Sequence, residues 1–231
     1  MAASSADAST RGSGRFKSVL VRAVSAVVLG PLLLAAIWYG FPWLDLIAAV
    51  AAPLMVSECL RLSRGRPVMR LVAIAYVLAA VVALLWLRHQ PALGRETILW
   101  IVCCTWATDI GAYVVGRSAG GARLAPRISP GKTWSGLVGG MAWAAVASAA
   151  FGYAFGLGQT ILLAVVGALL AVVGQVGDLL ESAMKRSAGV KDSGTLIPGH
   201  GGLLDRVDGL VAILLVVALV RLLGDGGWPW T

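Results

Sequence analysis

The chain has 231 residues, of which 58% are hydrophobic and only 13% charged, with a formal net charge of +8. Soluble domains carry about a quarter charged residues, whereas uncharged apolar stretches approaching twenty residues recur here. A soluble globular enzyme, a disordered protein and a secreted disulfide scaffold are therefore excluded. The spans are expected to be helices, because barrel strands alternate apolar and polar residues and these segments are apolar on every face.

Residues 1–18 form a tail rich in Ala, Ser and Gly with little to bury, expected to be disordered. Seven apolar segments follow, at about 19–40, 43–60, 70–87, 97–116, 134–155, 159–181 and 205–223. The sequence thus predicts an all-α, polytopic membrane bundle of about seven transmembrane helices. Its first segment is read as an uncleaved helix: Ala23–Tyr39 is long for a signal peptide, and no small-x-small cleavage site follows it. Residues 19–95 make an N-terminal group of helices. Residues 96–231 make a second transmembrane region with polar loops at 117–132 and 185–206.

The 19 Lys and Arg residues are unevenly distributed. Arg11, Arg15, Lys17 and Arg22 precede or open the first span, and Arg61, Arg64, Arg66 and Arg70 follow the second. Arg117, Arg123, Arg127 and Lys132 follow the fourth, and Lys185, Arg186, Lys191 and Arg206 follow the sixth. Only Arg88, Arg95 and Arg221 remain for the other side. This bias predicts a cytoplasmic N-terminus, with the polar loops on the same side. The positive charge is therefore assigned to orientation and to anionic lipid rather than to nucleic acid. Cys59, Cys103 and Cys104 lie in or beside apolar segments without metal-ligand spacing and read as small buried hydrophobes.

Five of the 11 acidic residues crowd into 178–208: Asp178, Glu181, Asp192, Asp205 and Asp208. Asp178, Glu181, Ser182 and Lys185 stand at i, i+3, i+4 and i+7, one stripe of a helix, and Asp205 and Asp208 share a face of the next helix. A carboxylate at membrane depth costs roughly 2.5–3.5 kcal/mol, so such groups face a cavity or a partner. Ion pairs with Lys185, Arg186 and Arg206 would satisfy them structurally. Carboxylates at two helix ends joined by one loop also suit a hard cation such as Mg²⁺. That loop contains Lys191, Asp192 and a glycine cluster around His200, with Gly201 and Gly202 leading straight into a helix. Such a segment lets backbone N–H groups approach an anion.

The earlier loop ends in Ser129-Pro130-Gly131-Lys132-Thr133. Lys132 and the Ser129 and Thr133 hydroxyls suit phosphate oxygens, although a helix N-cap explains the same residues. It is not a Walker A element, which requires a preceding strand that is not expected here. Asp109 lies inside the fourth span with Tyr113 one turn on, a position that defaults to function. Glu58, closing the second span, is expected to pair with Arg61 or Arg64.

From Ser182 to Asp208 the chain is similar at every fixed position to the pattern SxxKRx₄KDxGxxxPGHGGxxDRxD of the phosphatidate cytidylyltransferases (CDP-diacylglycerol synthases). Asp109-Ile110-Gly111-Ala112-Tyr113 with Gly116-Arg117, Ser129-Pro130 with Lys132-Thr133, and Gly177-Asp178-Leu179 with Glu181-Ser182 resemble three further elements of that family. Ser135 and Gly209 depart from its usual residues.

The resemblance implies Mg²⁺-dependent transfer of the cytidylyl group of CTP to phosphatidate at the cytoplasmic face of the inner membrane. Residues 96–231 become the catalytic domain, and there is room for a second cation and for a homodimer. It implies Asp178 and Asp205 as metal ligands, with Asp208, Asp192 and Asp109 assisting. Lys132, Lys185, Arg186, Lys191 and Arg206 would neutralise phosphates. Ser129, Thr133, Ser182, His200, Gly201 and Gly202 would line the substrate site. A CTP-dependent lipid-alcohol kinase and a cation transporter are the alternatives: the first would give a phosphorylated lipid and CDP, the second no CTP turnover.

Overall fold

A computed structural model describes residues 27–194, 196 and 201–224, so the tail at 1–18 and His200 lie outside the described residues. Seven helices fall within them: α1 (Val27–Tyr39), α2 (Trp43–Leu62), α3 (Pro67–Arg88), α4 (Gly94–Ala119), α5 (Trp134–Ala154), α6 (Thr160–Ser187) and α7 (Leu204–Leu223). Five of these, α2 to α6, are long and apolar enough to cross a membrane. Their outward faces expose large apolar side chains such as Leu71, Val138 and Ile161. That is the surface expected of helices solvated by lipid.

The helices begin and end where local chemistry dictates. Pro67 occupies the first turn of α3, where no N–H is needed. Thr133 caps α5 by accepting from the Gly136 N–H at 3.0 Å. α6 continues beyond the expected end at 181 and takes in Ser182, Lys185 and Arg186. No breaker intervenes before Gly189, and cations in the last turn favour the helix dipole. The loop expected from 185 accordingly starts later.

One expectation is corrected. The segment after α4 contains a two-stranded antiparallel hairpin, β1 (Arg123–Ala125) and β2 (Ser129–Thr133), pairing Arg123 with Thr133 and Ala125 with Ser129. Pro130 and Gly131 lie within β2 and argue against a central strand. In a two-stranded ribbon both strands are edges, where proline is tolerated.

Around one buried core, α4 packs on α5, α5 on α6 and α6 on α7, while α3 also lies against α7. Trp100, Ile101 and Leu163 are fully buried there. A second cluster, including Met55, Cys59, Val77 and Leu204, joins α2 and α3 to the start of α7. Cys59 and Cys104 are buried. Close approach of α6 and α7 depends on Gly177, where a Cβ would stand 2.6 Å from Ala212 Cβ and 2.8 Å from the Asp208 carbonyl oxygen. A Gly177→Ala change is therefore expected to cost about 1–3 kcal/mol, read as a lower thermal midpoint of the purified protein in detergent.

The ends of the bundle differ in charge. Arg88, Arg95 and Arg221 gather at the end away from the hairpin. Arg88 donates to the Ile37 carbonyl at 2.7 Å, Arg95 stacks 4.3 Å over the Trp38 ring, and Arg221 donates to the Ala92 carbonyl at 3.0 Å.

Candidate functional site

At the hairpin end, α4, α5, α6 and β2 enclose a cavity of about 540 Å³. Asp109 and Tyr113 project from α4, Arg117 from its last turn, Lys132 from β2, and Gln175 and Asp178 from α6. β2 runs directly into α5, so its register carries Lys132 onto α6, where the ammonium forms an ion pair with Asp178. Asp178 also accepts from the Ser182 hydroxyl at 3.2 Å, one turn along. The hairpin is fixed from both sides: Ser135 donates to the Gly120 carbonyl, and Arg186 reaches from α6 to the Ile128 carbonyl at 3.2 Å.

Three carboxylates share one electrostatic field. Asp109 is influenced by Asp208 and Asp178, and by the cations Lys132 and Arg206. Asp208 in turn is influenced by Asp178 and Lys185 and contacts Glu181. Asp208 thus lies between the polar cavity and a second group built on Lys185. That lysine is nearly buried and donates to Glu181 at 3.1 Å and to Asp205 at 2.6 Å.

Asp205 has a different surrounding from Asp178. One of its oxygens takes Lys185; the other accepts from the Ser193 N–H at 2.9 Å, the Ser193 hydroxyl at 3.0 Å and the Gly202 N–H at 2.8 Å. Gly201 has a φ of +85°, and a Cβ there would lie 2.7 Å from Asp205. The two aspartates expected as paired metal ligands are therefore engaged in separate networks, one with Lys132 and one with Lys185. Among the described residues, no three Asp, Glu, His or Cys side chains form a ready-made metal cage. Ser129 and Thr133 lie on β2, with Thr133 spent on the helix cap. Lys191, Asp192 and Arg206 are exposed at the same end.

Glu58 is a further correction. Arg61 is turned back onto Ser57. Glu58 is fully buried and accepts from the Ser193 hydroxyl and the N–H groups of Leu203 and Leu204. Sequence spacing ties Glu58 to its arginine neighbours, and only the tertiary fold carries it to a loop 135 residues away.

On the other side of α6, an apolar groove of about 580 Å³ runs between α3 and α6 with α7 at its base. Val72, Tyr76, Leu180 and Met184 line it, and Glu181 and Asp208 stand in its inner wall.

Fold and site together define a multi-pass helical membrane protein whose charged cavity and apolar groove flank one helix. A family model described as the cytidylyltransferase family matches residues 65–223; the chain belongs to that family. It is 44% identical over 186 residues to the phosphatidate cytidylyltransferase of Brucella suis, covering 77% of this chain and 63% of that protein. It is 44% identical over 144 residues to the phosphatidate cytidylyltransferase of Pseudomonas aeruginosa, covering 62% of this chain and 52% of that one. With the phosphatidate cytidylyltransferase of Rickettsia bellii it shares 32% identity over 201 residues, 84% of this chain and 87% of that one. The chain thus spans less than two thirds of the length of the Brucella and Pseudomonas relatives.

Proposed function

We propose that the chain transfers the cytidylyl group of CTP to phosphatidate, giving CDP-diacylglycerol and pyrophosphate, at the cytoplasmic face of a bacterial inner membrane. The observation that carries this reading is a charged cavity and an apolar groove separated by the single helix α6. A water-soluble nucleotide triphosphate and a membrane-bound phosphate must meet in such a place. The phosphatidate cytidylyltransferases that the chain resembles suggest the identity of both substrates.

In this reading, Lys132, Arg117 and Arg123 hold the triphosphate in the polar cavity. Lys132 changes partner from Asp178 to a phosphate oxygen as the nucleotide enters. A phosphatidate oxygen attacks the α-phosphorus of CTP, and the bond from that phosphorus to the bridging oxygen breaks. Pyrophosphate leaves with the electron pair. The nucleophile is already an anion, so no general base is required; the work is positioning and charge neutralisation. This agrees with a site of lysines, arginines and carboxylates.

Mg²⁺ is part of the proposal. The ion is commonly held by one or two carboxylates plus substrate phosphates rather than by an all-protein cage. Asp178, with Asp208 and Asp109 in its field, fits that description. Bound there, it would offset charge on the triphosphate and on departing pyrophosphate. Asp205 fits less well, because it would have to surrender Lys185 and the loop amides.

The test follows two labels. With α-labelled CTP, phosphatidate and Mg²⁺, label is expected in the lipid and pyrophosphate in the water phase. Lipid labelled instead from γ-labelled CTP would indicate a kinase, and absence of any turnover would remove the reading. The groove is assigned to the acyl chains. A Val72→Trp change at its mouth is then expected to raise the KM for phosphatidate several-fold with the KM for CTP unchanged.

A further inference from the structure

Ser193 and the start of α7 are held by a residue remote in sequence. Leu203, at the N-terminal boundary of α7, offers no side-chain cap. The first amides of a helix need an acceptor from outside, and here Glu58 of α2 provides it. One carboxylate oxygen accepts from Leu203 N–H at 2.9 Å, and the other from Leu204 N–H at 2.8 Å and from the Ser193 hydroxyl at 2.8 Å. No Lys, Arg or His forms an ion pair with Glu58 among the described residues; its negative charge instead faces the positive end of a helix. The same carboxylate fixes both ends of the loop. A Cβ at Gly202 would lie 2.6 Å from it, closer than a side chain permits, and one at Gly194 would make a tight contact at 3.0 Å. Ser193 joins this clasp to Asp205, since its hydroxyl lies within hydrogen-bonding distance of both carboxylates.

We infer that Glu58 is a positioning residue, capping α7 from α2 and tying Ser193 to the start of that helix, and through both setting the orientation of Asp205 and Asp208. It lines neither the polar cavity nor the groove. Its kinetic consequence rests on the cytidylyl-transfer reading, whereas its structural consequence does not.

The experiment uses the whole chain in detergent, with Glu58→Ala, Glu58→Gln and Ser193→Ala compared with Leu44→Ala. Leu44 is buried in the same helix but away from the loop, so its truncation lowers stability without touching the clasp. Amide hydrogen exchange at Leu203 and Leu204 is measured beside kcat and both KM values. Glu58→Ala is expected to lose protection at those two amides and to lower kcat about tenfold, as displacement of groups around a reacting centre does. Glu58→Gln, which keeps one acceptor oxygen, and Ser193→Ala, which keeps both amide bonds, are expected to fall between it and wild type. Leu44→Ala should leave both readouts unchanged below its melting temperature.

Wild-type protection in Glu58→Ala, or equal loss in Leu44→Ala, overturns the inference. If Glu58→Ala does not fold, the same comparison between Glu58→Gln and Leu44→Ala decides it. If the wild-type chain shows no CTP turnover, the cytidylyl-transfer reading fails and the exchange data alone judge the clasp.

Discussion

Asp178→Asn is expected to lower CDP-lipid formation by at least about 10²-fold, the scale on which removal of one electrostatic group at a reacting centre is felt. The substitution keeps side-chain volume and leaves an oxygen able to accept from Ser182 and Lys132. What it removes is the charge. In the structure that charge balances Lys132 across the floor of the cavity, and Asp109 and Asp208 add to the same negative field. In the proposed reaction it would help hold Mg²⁺ among the phosphates. The measurement is single-turnover CDP-lipid formation by purified variant over a Mg²⁺ titration, with circular dichroism to verify that the helices persist. Retention of wild-type rate at wild-type Mg²⁺ would remove Asp178 from the metal site. A loss recovered by higher Mg²⁺ would identify its contribution as affinity for the ion.

The fold was legible wherever a helix is specified by local composition. Apolar runs located all seven segments, and alternation of Lys and Arg between connections separated the loops that carry the polar residues from Arg88, Arg95 and Arg221. Helix ends were less legible. α6 runs through Lys185 and Arg186 because these residues suit a helix C-terminus, although their charge resembles that of a loop. The hairpin escaped because short strands with proline and glycine leave almost no periodic pattern.

At the site, the i, i+3, i+4 and i+7 stripe on α6 correctly put Lys185 beside Glu181. The partners contributed by other elements were another matter. That Lys132 would find Asp178, or Glu58 the start of α7, depends on contacts spanning 46 and 145 residues. Hydropathy and spacing hold no information about such pairings. The polarity of a residue shows that it needs a partner, and packing alone determines which partner it receives.

This distinction makes Asp205→Asn and Asp208→Asn fail in opposite ways. Asp205 anchors a nearly buried lysine and two backbone amides, with only 5% of its side chain exposed. Breaking a buried pair by neutralising one partner typically costs about 3–5 kcal/mol, so Asp205→Asn should chiefly lower the thermal midpoint, with any activity lost following the displaced loop. Asp208 accepts from the N–H of its neighbour Gly209 at 2.7 Å and lies in the field of two carboxyl groups, Glu181 and Asp178, against the one cation Lys185. Removing one negative charge from that group relieves repulsion. Asp208→Asn should therefore keep or raise the midpoint, while a higher Mg²⁺ concentration is needed for half-maximal rate. Unfolding curves and Mg²⁺ titrations on both proteins separate the two effects. If Asp205→Asn melts like wild type and shifts the Mg²⁺ requirement, while Asp208→Asn leaves that requirement alone, the ion belongs with Asp205, and Lys185 must leave it when substrate binds.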